Sequence, residues 1–305
     1  GLMSDDAAIF SAFEETSKCG SMVTVHAESA KVLDLLIERY HNKADMRRYG
    51  AYCHVLSRPN FIEAEAIQRA VTWAEVTGGK LYIVHLSTAE GVEIIRKAKL
   101  RGVKVYAETC PHYLLFDDSI FKIPDGYLYA TCPQIKKKVD QESLWNGLSD
   151  GTISVIATDN CTFTSKQKDR WKGDFTKIPY GLPGVETLLP LMYTCGVGEG
   201  RFSLMKMIRF LCVNPAKLMG LYPQKGTIAV GSDADIVIFN PNQNVTISHI
   251  DLQTKCDWSP YEGFKLNGYP VLTISRGEIV AQNGEFVGPA GHGNYLRRGK
   301  SVEPD

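Results

Sequence analysis

The chain has 305 residues, 44% of them hydrophobic, with 34 Lys+Arg against 34 Asp+Glu and a formal net charge of +0. That length and apolar content allow one large domain or two ordinary ones, while the charge balance gives no electrostatic pull toward nucleic acid or an anionic membrane. No stretch of about 18 apolar residues is present, so no transmembrane span is expected. Eight cysteines without a Cys-x-x-Cys pair are too few for a disulfide scaffold. Cys19, Cys53 and Cys195 sit in apolar, strand-like runs as small hydrophobes, which reads as a reducing, cytoplasmic setting. No charged-then-apolar leader opens the chain, which does not begin with Met.

Taken in order, Ser4, Asp5 and Asp6 are the caps expected for a helix beginning near Ala7. Met22–Val25 reads as a strand ended by His26, and Ala30–Tyr40 as a helix with Val32, Leu35 and Leu36 on its apolar face. Residues 52–56 read as a short extended piece stopped by Arg58-Pro59. A helix is expected over 62–77, with Ile62, Ala66, Ala70 and Trp73 on one stripe. A strand over 81–86, a helix over 88–100 capped by Thr88, and a strand over 104–108 follow. Lys136, Lys137 and Lys138 read as a solvated loop before a helix over 140–148 and a strand over 152–157. This alternation is the pattern of parallel strands with crossover helices.

The second part changes character. Helices are expected over 184–195 and 203–219, then strands over 226–230, 234–239, 245–247, 271–275 and 278–281, with Asn283-Gly284 as a hairpin turn. The last residues, 288–305, are Gly- and Arg-rich without apolar periodicity and read as a surface arm or a packing extension. Four β-then-α units fit an open sheet poorly, since no Gly-rich phosphate loop is present. A closed eight-stranded barrel needs roughly 250 residues, so that reading requires further units upstream of Gly1.

What ends each strand is the informative feature. His26 in Val-His-Ala-Glu28, His85 in Ile-Val-His-Leu-Ser87, and Asp159 in Ala-Thr-Asp-Asn160 place metal-competent side chains at the C-terminal edge of the expected parallel sheet. That is where β/α enzymes put their chemistry, and imidazole with carboxylate suits a borderline metal such as Zn²⁺. Against it stands the structural alternative, that each His is a hydrogen-bonded residue closing a strand. Glu28 can orient a ligand or merely cap. His54 can line the mouth of the site, His112 can pack behind it, and His41, His249 and His292 read as surface residues. Such a set serves hydrolysis, with Asp159 moving the proton. A Cys161 nucleophile lacks an evident His partner.

These motifs, with Glu108-Thr-Cys-Pro-His-Tyr-Leu, Lys177-Ile-Pro-Tyr-Gly-Leu-Pro-Gly-Val-Glu186 and Lys225-Gly-Thr-Ile-Ala-Val-Gly-Ser-Asp-Ala-Asp235, resemble the successive barrel motifs of the dihydropyrimidinase/D-hydantoinase family. The resemblance covers essentially the whole chain. It implies an α/β fold: a partial (β/α)₈ metal-dependent hydrolase barrel over 1–225 with N-terminal units missing, a small β-sandwich portion over 226–287, and an extended tail over 288–305. It implies hydrolysis of the cyclic amide of 5,6-dihydropyrimidines or 5-substituted hydantoins to N-carbamoyl amino acids. His26, His85 and Asp159 become metal ligands, and Asp159 also the general base and acid. Two divalent ions, of which Zn²⁺ is the expected species, are implied, bridged by a carboxylated Lys that is not in this chain; residues 1–305 alone are therefore expected to be inactive. The matching ring-binding positions are Cys132 and Tyr180, both departures from the family pattern, as is Asn160. A homotetramer or homodimer is implied. Alternatives are an allantoinase- or dihydroorotase-type enzyme, for which Arg58 is the candidate cation, and a catalytically silent scaffold.

Overall fold

The structure is a computed structural model that describes residues 3–304; Gly1, Leu2 and Asp305, at the outer ends of the expected barrel and tail, lie outside the described residues. The chain divides into two compact units, Gly1–Leu182 and Pro183–Asp305.

In the first unit, α1 (Asp6–Cys19) is capped by Asp5, whose carboxylate accepts the Ala8 N–H at 2.8 Å. It leads into β1 (Met22–Val25), followed by α2 (Ala30–Tyr40), α3 (Lys43–Tyr49), α4 (Cys53–Leu56) and α5 (Phe61–Thr77). Then come β2 (Lys80–Ile83), α6 (Ala89–Leu100), β3 (Val105–Thr109), α7 (Pro111–Leu115), α8 (Lys138–Ser149), β4 (Val155–Ile156) and α9 (Ser165–Lys168). The four strands form one parallel sheet in the order β1-β2-β3-β4, with Met22 opposite Lys80, Leu81 opposite Val105 and Glu108 opposite Val155. All four C-terminal ends therefore meet along one edge of the sheet.

The helices follow the sequence pattern where it is long. On α6 the buried Val92, Ile95 and Ala98 form one stripe, and the Thr88 hydroxyl accepts the Gly91 N–H at 3.2 Å. On α5 the buried Ile62, Ala66, Ile67, Ala70, Val71 and Ala74 face inward, and the helix stops at Gly78 in the left-handed region. Leu33 and Leu36 of α2 pack on Ile62, whereas Val32 and Leu35, expected on the apolar face, are exposed.

Three local expectations are corrected. Residues 52–56 are helical, because a five-residue apolar run carries no periodicity to distinguish strand from helix. Lys136 is buried rather than solvated, and its Nζ donates to the Arg58 carbonyl at 2.9 Å. Cys19 and Cys53 lie on helices rather than strands.

The second unit holds α10 (Leu188–Leu191), α11 (Leu204–Ile208) and α12 (Asn214–Leu218), with π-helical turns after α10 and α11. Cys195 lies in the first of those turns. An antiparallel sheet follows, in the order β5 (Ile236–Thr246), β6 (Lys265–Ser275), β7 (Glu278–Gln282) and β8 (Glu285–Phe286). Asn283 and Gly284 turn β7 into β8 with φ of 50° and 85°, as a type I′ hairpin requires. Residues 226–230 are not a strand. The tail lies back on its own unit: the Val302 N–H donates to the Lys217 carbonyl at 2.9 Å and the Gly299 N–H to Gly220 at 2.8 Å. Among the described residues no helix is long and apolar enough to cross a membrane.

Candidate metal centre

The site lies at the C-terminal edge of the parallel sheet. His26 follows β1 directly, His85 stands two residues beyond β2, and Asp159 three beyond β4. His85 and Asp159 both have positive φ, 40° and 46°. A side chain in that region costs on the order of 1–2 kcal/mol, so the surrounding contacts must hold it. For His85 they do. Its N–H is bonded by the Glu108 carboxyl, the Leu86 N–H donates to the Glu108 carbonyl at 2.7 Å, and Thr109 Oγ1 donates to the Leu86 carbonyl at 2.9 Å. One turn further, buried Glu63 accepts the Ser87 N–H at 3.0 Å, the Ser87 hydroxyl at 3.1 Å and the Thr88 hydroxyl.

These constraints bring two imidazoles together. His26 Nδ1 and His85 Nε2 are 2.9 Å apart, with the rings edge-to-face at 4.7 Å. On its other side His26 Nε2 meets Glu28 Oε2 at 3.0 Å, and Cys132 Sγ donates to the same oxygen at 3.0 Å. Arg58 Nε stands 3.8 Å from Glu28 Oε1. Burial pushes His85 down, and the neighbouring His26 charge takes it to about 4. Burial also opposes a charge on His26, but its bonds to Cys132 and Glu28, with their charges, raise it to about 10. Glu28 is likewise held at about 2 against its burial by the His26 bond and the Arg58 charge. The carboxylate on Nε2 fixes the orientation of the His26 ring. A carboxylate behind a metal-binding imidazole does the same work.

The donor chemistry fits a divalent ion. Two imidazole nitrogens on one tetrahedral Zn²⁺, with bonds of about 2.0–2.1 Å, stand roughly 3.3 Å apart, so the observed pair needs to open by only tenths of an ångström. Asp159 is less closely gathered. Desolvation raises its carboxyl while the His26 charge lowers it, which places it within electrostatic reach of that ring. Yet the described donors that lie within 4.8 Å of one another in a set of three are those of His26, Glu28 and Cys132. A cleft of about 1120 Å³ runs past His26, Glu28 and Cys132 between α1, β1 and the start of α2.

Of the two expected ring-binding residues, Cys132 faces Glu28 through its thiol, and Tyr180 packs on other protein groups. Its ring stacks on His54 at 4.7 Å, Arg58 lies over it at 5.1 Å, and its hydroxyl accepts from Arg58 Nη2 at 3.4 Å. Arg58 is buried and also donates to His54 Nδ1 at 2.9 Å and Ser57 Oγ at 3.3 Å, so both its Nη groups are engaged within the protein while its Nε makes no hydrogen bond. His54 is fully buried, its Nε2 on the Thr131 carbonyl at 2.8 Å. His112 is buried against Tyr113, and burial with the His85 charge holds it at about 3. Sequence reasoning missed Glu63 and undervalued Glu28. A Glu two residues after a strand-ending His was the available signal for the second; the partners of the first are 24 and 25 residues away.

The sequence profile of the amidohydrolase family matches residues 2–280. The chain belongs to the amidohydrolase family. This amidohydrolase-family chain is 41% identical over 303 residues to a D-phenylhydantoinase of Escherichia coli O1:K1, covering 98% of its own length and 65% of the relative's. It is 39% identical over 302 residues to a D-hydantoinase of Geobacillus stearothermophilus, covering 98% and 64%. Among solved structures, the D-hydantoinase of Bacillus sp. AR9 superposes with a TM-score of 0.96 at 39% identity, over 99% of this chain and 66% of that one. A dihydropyrimidinase from Brevibacillus agri gives 0.95 at 38%, again over 99% and 66%. The chain thus spans about two thirds of the length of the proteins it matches, and its α/β fold is the partial barrel with a β-sandwich portion expected from the sequence.

Proposed function

We propose that the protein carrying this chain hydrolyses the cyclic amide bond of 5,6-dihydropyrimidines or 5-substituted hydantoins, releasing N-carbamoyl amino acids. The observation that carries this reading is the convergence of His26 Nδ1 and His85 Nε2 at 2.9 Å on the C-terminal edge of a parallel sheet, in a chain whose relatives are hydantoinases. His26 and His85 would hold a divalent ion, Zn²⁺ by donor chemistry, and Asp159 would hold a second. A divalent ion there supplies Lewis-acid polarisation of the scissile carbonyl. Asp159 takes the proton of the attacking water and delivers it to the ring nitrogen as the carbon–nitrogen bond breaks, leaving a carboxylate and a ureido group. Glu28 orients His26, and Cys132 and Tyr180 border the ring. Residues 1–225 form the barrel portion, 226–287 the sandwich portion and 288–305 the tail of a cytoplasmic homo-oligomer.

Metal analysis and turnover on the intact protein test this. Dihydrouracil and hydantoin are expected to be hydrolysed, and His26→Ala with His85→Ala to lose bound metal and activity together. Metal content and turnover unchanged in that double variant would overturn the assignment. Turnover of dihydroorotate in preference to either substrate would favour the carboxylate-reading alternative, which the commitment of Arg58 to His54, Tyr180 and Glu28 disfavours.

A further inference from the structure

On the side of His26 that faces away from His85, donors of three kinds meet. Glu28 Oε2 is 3.0 Å from His26 Nε2 and 3.0 Å from Cys132 Sγ, and the donor atoms of the three residues all lie within 4.8 Å of one another. The Glu28 side chain is only 4% exposed, and its other oxygen is turned to Arg58 Nε at 3.8 Å. The carboxylate thus feels the Arg58 charge from behind without a hydrogen bond to its Nε, and it presents Oε2 to the imidazole and the thiol. Within this chain His26 is exposed, which leaves room beside it for a fourth ligand.

We propose that His26 Nε2, Glu28 Oε2 and Cys132 Sγ form a second cation site, selective for thiophilic divalent ions such as Cd²⁺ or Zn²⁺. Binding forms one metal–sulfur, one metal–nitrogen and one metal–oxygen bond. Any proton on Cys132 Sγ or His26 Nε2 leaves to solvent as these bonds form. For a tetrahedral ion with bonds of about 2.0–2.3 Å the donors stand roughly 3.3–3.6 Å apart. That separation lies between the observed 3.0 Å contacts and the 4.8 Å span of the set, so small side-chain adjustments complete the site. The thiolate sets the selectivity, since hard cations such as Mg²⁺ gain little from sulfur. One consequence rests on the hydrolase reading. Ions at both nitrogens of His26 require the ring to give up its last proton, so the two sites compete for that residue and a thiophilic ion inhibits hydrolysis.

The test is a Cd²⁺ titration of the intact protein followed by ultraviolet thiolate-to-metal charge-transfer absorption. One equivalent giving that band is expected. Cys132→Ser abolishes the band and weakens binding by about tenfold or more, the least that losing even an outer partner of a metal site costs. Glu28→Gln weakens binding, and Cys161→Ser, an exposed cysteine outside the set, leaves it unchanged. Should the Cys132 variant fail to fold, iodoacetamide labelling of the unsubstituted protein decides: Cd²⁺ protects Cys132 and not Cys161. A band that survives Cys132→Ser, or Cys132 alkylated equally fast with and without Cd²⁺, overturns the site. These readouts do not depend on the protein being a hydrolase. Loss of turnover in step with Cd²⁺ occupancy supports the competition for His26, and full occupancy with unchanged turnover overturns that consequence alone.

Discussion

Replacing Glu63 with alanine removes the acceptor shared by three donors of the loop that carries His85. The Ser87 N–H, 3.0 Å from Glu63 Oε1, is a backbone donor that cannot turn elsewhere, and stranding it costs about 1–3 kcal/mol. The two hydroxyls can rotate, and Thr88 Oγ1 keeps the Gly91 N–H at 3.2 Å, so they add about 0.5–1 kcal/mol between them. The sum, about 3 kcal/mol, acts on the unit Gly1–Leu182. At about 2–4 °C per kcal/mol for a unit of this size, it lowers the melting temperature by about 6–12 °C. Glu63→Gln keeps an acceptor for Ser87 and costs only about 1 kcal/mol. Burial raises the Glu63 carboxyl above its usual range. Its stabilising contribution is therefore complete below the ordinary value of 4.5 and fades as pH rises through the folded value, so the gap between wild type and the non-titrating Glu63→Gln narrows upward from pH 4.5. Calorimetry across pH 4–8 measures all of this. An alanine variant melting within about 2 °C of wild type, or a glutamine variant as unstable as alanine, would refute the argument.

Other substitutions probe separate parts of the same unit. Asp159→Gly relieves a φ of 46° while loosening the unfolded chain, so stability should stay within about 1 kcal/mol as turnover is lost; a larger destabilisation by urea titration would show that the side chain has a structural role. At Gly181, φ is 139° and a Cβ would stand 2.4 Å from the Cys161 carbonyl oxygen, so Gly181→Ala should destabilise by about 2 kcal/mol or more, and a neutral result in the same titration would be inconsistent with that backbone. Lys99 donates to the carbonyls of Gly151 and Thr152, both at 2.9 Å, and burial lowers it from 10.5 to about 8. The unfolded chain then binds the extra proton between those values, so wild type should gain stability over Lys99→Met from pH 8 to 10.5, by at most roughly 3 kcal/mol. A flat difference across that window would rule out the shift.

The sequence by itself determined the four parallel strands, the helices between them and the polar residues at the strand ends. Each of these is written in local periodicity, in a cap such as Thr88, or in the residue that stops a strand, such as His26. Short runs were the exception: residues 52–56 carry too few positions for a period to show. Only the tertiary structure decided which polar groups pair across long stretches of sequence. Glu63 reaches Ser87 and Thr88 across 24 and 25 residues, Lys136 reaches the Arg58 carbonyl across 78, Cys132 meets Glu28 across 104, and His26 faces His85 across 59. No local pattern records such pairings. They exist because parallel pairing brings the strand ends and the loops after them to one edge, where low dielectric makes an unmatched polar group costly and a matched one specific.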